Sequence, residues 1–90
     1  MYREVIEYYG EEAQHRQAME ECAELIQAIN KVLRYPTPQA RCRLVEEIID
    51  VEIMICQLKE MYGISKSELE AVRMQTDNRI FKRLEGAKRG

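Results

Sequence analysis

The sequence predicts an all-α domain, an antiparallel helical hairpin followed by a C-terminal helix. Three observations carry this. Apolar residues recur at i, i+3, i+4, i+7 spacing on both sides of the chain's midpoint. Pro36 and Pro38 flank Thr37 and break the chain between those halves, and Gly63 marks a second stop. No sustained period-2 alternation with turn signals competes. A chain of 90 residues forms a single domain, 1–90, with a modest core, so self-association is the expected way to bury more apolar surface.

A short first helix containing Val5, Ile6 and Tyr9 is interrupted at Gly10. The first long helix runs over about 11–34, with Cys22, Leu25, Ile26, Ile29, Val32 and Leu33 at helical spacing. The second runs over about 39–62 and stops at Gly63. It is apolar around most of its circumference, leaving a narrow polar arc of Arg43, Glu46, Glu47, Asp50 and Gln57. Such a helix is normally covered on several sides. A dimer or higher oligomer sharing a four-helix-type bundle core is therefore expected. Glu52 and Lys59 share a side of this helix with Val45, Ile48 and Ile55, where they fit such an interface or an ion pair across it. Ser65 and Glu68 have capping-box spacing and open a third helix over about 66–84, packed through Leu69, Val72, Ile80 and Leu84. The tail from Gly86 to Gly90 is expected to fray.

Net charge is −2, which gives no support for a long polyanionic partner such as duplex DNA. A hydrophobic fraction of 46% is too high for a disordered chain. No apolar run approaches the roughly 20 residues needed to cross a membrane, so no membrane partner is expected. The three cysteines, Cys22, Cys42 and Cys56, form no C-x-x-C, and no signal peptide precedes them. Reduced thiols in a cytoplasm are expected. Cys22 and Cys56 lie among aliphatic residues and read as small core hydrophobes rather than catalytic thiols.

Two acidic clusters stand out, Glu20-Glu21-Cys22-Ala23-Glu24 and Glu47-Ile48-Ile49-Asp50. Glu21 and Glu24 lie three residues apart, as do Glu47 and Asp50, so each pair shares a helix face. Two such helices side by side aim four carboxylates at one point. Crowded carboxylates repel unless a cation lies among them. The competing reading is a set of solvent-facing glutamates. Against it, the second pair interrupts an apolar helix, and Glu20 meets the like charge of Glu24 at i+4 with little compensation nearby. Oxygen-only ligands favour a hard cation, Mg²⁺ or Mn²⁺, which leaves positions for phosphate oxygens. A di-iron bundle wants Glu-x-x-His on facing helices. Glu12 and His15 supply that spacing once, and the second helix has no histidine.

E-E-x-x-E followed by E-x-x-D, with 22 residues between the motifs, resembles the MazG-like all-α nucleoside triphosphate pyrophosphohydrolases. Leu25 after Glu24 fits the family's E-L step. Glu46-Glu47-Ile48-Ile49-Asp50-Val51 looks like its second motif, and Tyr9-Gly10-Glu11-Glu12-Ala13-Gln14 like the entry to its first. The resemblance covers about residues 5–62. It implies a Mg²⁺-dependent hydrolysis of a nucleoside triphosphate to the monophosphate and pyrophosphate, in nucleotide-pool housecleaning. It also implies that Glu21, Glu24, Glu47 and Asp50 hold the metal, with Glu20 as a supporting residue or a base that positions water. Homodimers or homotetramers, in which a neighbouring subunit completes the nucleotide pocket, are implied as well.

The chemistry is coherent in its own right. A triphosphate cannot approach four carboxylates unless bridging cations neutralise both, and such cations also acidify a bound water. The basic third helix offers phosphate contacts through Arg79, Lys82 and Arg83, with Arg73 and Asn78 behind them; a solvated helix end favoured by the helix dipole is the alternative. Gln14 and Gln17 are candidates to face a base or ribose, or are ordinary surface residues. Tyr8, Tyr9 and Tyr35 either stack on a base or pack helix ends. Two further enzyme readings share the same carboxylates, a phosphoribosyl-ATP pyrophosphatase and a dUTP- or dCTP-preferring hydrolase. The non-enzymatic reading is a helical oligomerisation or regulatory module.

Overall fold

The structure, a computed structural model, describes residues 2–90. Four helices follow in order: α1, Tyr2–Tyr9; α2, Glu11–Arg34; α3, Pro38–Met61; and α4, Lys66–Arg89. No strand occurs among the described residues, and no helix is long and apolar enough to cross a membrane. The fold class is all-α, as the periodicity indicated.

Local chemistry sets each boundary. Gly10 separates α1 from α2 at φ 94°, a backbone region that favours glycine. Thr37 caps α3, its Oγ1 accepting from the Ala40 amide at 3.1 Å, with Pro38 in the first turn, where its missing amide is harmless. The start therefore falls at Pro38 rather than Gln39. At the other end Gly63 takes φ 58°, the Ile64 amide bonds the Lys59 carbonyl at 3.0 Å, and the Gly63 amide bonds Glu60 at 3.3 Å. This is the Schellman arrangement of a glycine stop. Ser65 caps α4 by accepting from the Glu68 amide at 3.1 Å. The α4 helix continues to Arg89, past the expected end near 84, so Gly86–Arg89 is helical rather than frayed. Lys88 and Arg89 suit the negative end of the helix dipole there.

The core lies between α2 and α3, an antiparallel hairpin against which α1 also packs. Its buried members are few: Ile6, Ala18, Ala28, Ala40 and Met54, with Gln14, Glu47 and Gln57. Small alanines let the two long helices approach closely, and the polar three occupy the seam. Gln14 Nε2 donates to Gln57 Oε1 at 2.7 Å, which satisfies a buried amide pair. At the α2 start and α3 end, His15 bridges the Glu11 carbonyl (2.7 Å) and the Tyr62 hydroxyl (2.8 Å).

Within one chain α4 packs against no other helix. The radius of gyration is 16.9 Å, against about 12 Å for a compact chain of this length. Accessible surface is 7653 Å², about 2,100 Å² more than a compact monomer of 10.7 kDa exposes. The uncovered surface is apolar. Ile26, Leu33, Ile49, Val72, Ile80, Phe81 and Leu84 all stand at least half exposed. Cys22 and Cys56, expected in the core, are also exposed, because they lie on faces that a single hairpin does not cover.

Candidate metal centre

The hairpin brings the two acidic motifs together as their spacing foretold. Oxygens of Glu21 on α2 and of Glu47 and Asp50 on α3 lie within 4.8 Å of one another. Glu47 has no solvent exposure, while Glu21 and Asp50 are half-buried. Both Glu47 oxygens and Oε1 of Glu21 are buried without accepting a hydrogen bond. A buried carboxylate without such partners is costly, and a divalent cation among the three groups would satisfy it. The donor set therefore fits a hard cation with oxygen ligands.

Arg43, one turn before Glu47 on α3, brings a positive charge to the cluster. Its Nη2 lies 2.8 Å from Glu47 Oε1, in contact but with the N–H out of line for a hydrogen bond. The same guanidinium reaches Glu24 at 3.6 Å and Glu46 at 3.5 Å. Glu24 is thus drawn toward Arg43 and stands outside the group of three. Glu20 is exposed and also lies outside it.

The other expected site residues divide. Gln17 is exposed, and its Nε2 donates to Glu21 Oε2 at 3.2 Å, so it orients a carboxylate of the cluster. Gln14 is buried, and its amide is committed to Gln57, so it does not present itself to a ligand. Arg79, Lys82 and Arg83 are exposed on α4, which a single chain leaves apart from the cluster, and Arg73 and Asn78 are exposed with them. Glu52 is exposed and Lys59 half-buried, and neither forms an ion pair among the described residues. Two participants escaped the sequence reading. Gln57 as a partner for Gln14 left no local signal, because the contact joins residues far apart in the chain. Arg43 left one, its i, i+4 spacing before Glu47.

Burial pushes the Glu47 carboxyl from its ordinary 4.5 up to about 7; Arg43 pulls it the other way, and a proton shared with Glu21, together with the charges of Glu21 and Glu24, adds to the rise. A carboxyl raised in this way holds its proton in the folded state at pH values where the unfolded chain has released it. Stability therefore falls as pH rises from 4.5 through about 7. Thermal melts of the metal-free protein should show a falling Tm between about pH 5 and about pH 8. Glu47→Gln should remove that slope, and saturating Mn²⁺ should flatten it in the wild type, since a cation favours the ionised carboxyl. Equal slopes in the wild type and Glu47→Gln would contradict this origin.

No protein-family model, curated protein or solved structure matches the chain.

Proposed function

We propose that the chain is a Mg²⁺- or Mn²⁺-dependent nucleoside triphosphate pyrophosphohydrolase of the MazG-like kind, releasing a nucleoside monophosphate and pyrophosphate. The observation that carries this reading is the fully buried Glu47 carboxylate, which accepts no hydrogen bond and lies within 4.8 Å of Glu21 and Asp50. Glu21, Glu47 and Asp50 would hold the cation, and Glu24 joins them once freed from Arg43. When bound, the cation supplies charge neutralisation for phosphate and an acidified water for attack at the α-phosphorus. Gln17 fixes the orientation of Glu21. Glu20, at the solvent edge of the same helix turn, takes a proton from the attacking water. The cytoplasmic setting rests on the three unpaired cysteines.

The working unit in this proposal is a dimer or tetramer of this chain. The excess exposed surface of about 2,100 Å² falls in the range that each partner of an obligate homodimer buries. A groove of about 400 Å³, lined by His15, Ala18, Met19, Cys22, Ala23 and Ile26 on α2 and Leu58 on α3, would take apolar side chains of a second copy in this assembly. Assembly also offers the unpartnered α4, with Arg79, Lys82 and Arg83, a route to a neighbour's site.

The test is pyrophosphate release from a panel of canonical and damaged nucleoside triphosphates, with and without Mg²⁺. Release that requires the metal is expected. No release from any of them, with no rise in Tm on adding Mg²⁺ or Mn²⁺, would leave the helical oligomerisation module as the better reading.

A further inference from the structure

A cleft of about 270 Å³ opens beside the carboxylates, between α2 and α3. Glu24, Gln27, Ala28 and Lys31 line its α2 wall, and Arg43 lines the other. The α2 residues follow i, i+3, i+4, i+7, so they form one continuous face running from the acidic motif toward the hairpin turn. The charge along this path changes sign. Residues 31–43 contain Lys31, Arg34, Arg41 and Arg43 and no acidic residue. Of these cations Lys31 and Arg43 line the cleft, within two helical turns of Glu24 at its acidic end.

Arg43 stands at the boundary. Its side chain is half exposed and anchored only by ion pairs to Glu47, Glu24 and Glu46. A guanidinium and a divalent cation compete for the same carboxylates, because each repels the other at these distances. The planar guanidinium fork suits two phosphate oxygens as well as it suits a carboxylate. Lys31, on the facing wall, offers a second positive charge.

We propose that Arg43 has two positions, one on Glu47 and Glu24 in the cation-free protein, and one turned with Lys31 onto the phosphate tail of a metal-bound polyphosphate. The cleft between Lys31 and Arg43 is then the seat of the leaving pyrophosphate group. This moves the principal phosphate contacts from α4 to the hairpin itself. It rests on the metal-centre reading above, and the two fail differently.

The experiment uses the full-length protein and two probes, Mn²⁺ alone by electron paramagnetic resonance titration, and imidodiphosphate by calorimetry at saturating Mn²⁺. Circular dichroism confirms that each variant is folded. Arg43→Gln should bind Mn²⁺ about fivefold tighter, having lost its internal competitor. The same variant should bind imidodiphosphate at least about tenfold more weakly. Lys31→Gln should leave Mn²⁺ affinity within about twofold and weaken imidodiphosphate by about threefold or more. Arg41→Gln, outside the cleft, serves as the charge control and should change neither by more than about twofold. Tighter Mn²⁺ binding in Arg43→Gln with unchanged imidodiphosphate affinity would make Arg43 a counter-ion only and overturn the inference while leaving the metal centre standing. Unchanged Mn²⁺ affinity in that variant would overturn the competition. Absence of Mn²⁺ binding by the wild type would overturn the metal centre and this inference together.

Discussion

Asp50→Asn should lower metal-dependent pyrophosphate release by at least about a hundredfold while leaving the far-ultraviolet circular dichroism unchanged. The size follows from position. Substituting groups that merely support metal ligands typically costs tenfold to a hundredfold, so a direct ligand sets that as a floor. Asp50 is half-buried with its carboxylate beside those of Glu21 and Glu47, and among the described residues no side-chain hydrogen bond or ion pair reaches it. Asparagine keeps the shape and removes the charge, so the helix pairing should survive. Losing one of three crowded carboxylates should even relieve repulsion in the metal-free protein. The variant should therefore melt no lower than wild type without metal, yet gain less on adding Mn²⁺. Full activity in Asp50→Asn would show that the acidic cluster is not the reaction centre.

If the chain assembles as proposed, Ile26→Glu should convert that dimer or tetramer to a destabilised monomer, read by sedimentation velocity and by a concentration-independent Tm. Ile26 is 68% exposed within one chain and lines the apolar groove on α2, so the free chain tolerates a carboxylate there. Burying that charge against a second copy would cost several kcal/mol without a partner. Because this chain has few buried side chains of its own, the loss of assembly should lower the Tm as well. An Ile26→Glu protein with the same mass in solution as wild type would place the interface elsewhere. Glu20→Gln on the same helix, exposed and outside the groove, should leave the assembly intact.

The features encoded by adjacent residues were legible in the sequence. The bounds of α2, the turn at Pro36–Pro38, the glycine stop at Gly63 and the Ser65 cap all depend on local backbone chemistry, and local chemistry is what periodicity and capping rules read. The meeting of Glu21 with Glu47 and Asp50 was legible for a different reason: each motif sits on one helix face, and a short turn forces those helices to pair. What stayed hidden depends on contacts between helices. Gln14 reads from the sequence as a base contact or a surface residue because nothing near it announces Gln57. Glu24 looked equivalent to Glu21 because spacing alone does not reveal that Arg43 draws it aside. The extension of α4 to Arg89 runs against the usual fraying of a chain end; Gly86 remains helical, whereas Gly63 adopts the positive φ that ends a helix. The exposure of Cys22 and Cys56 reflects faces that a helical pattern marks as apolar without naming what covers them.

The claim at the centre is that Glu21, Glu47 and Asp50 hold one divalent cation. Crystals grown with Mn²⁺, with diffraction recorded at the manganese absorption edge, address it directly. An anomalous peak at roughly 2.0–2.3 Å from oxygens of all three residues is expected, with Arg43 withdrawn from Glu47. No peak at this cluster, or a peak only elsewhere with Arg43 still on Glu47, would contradict it.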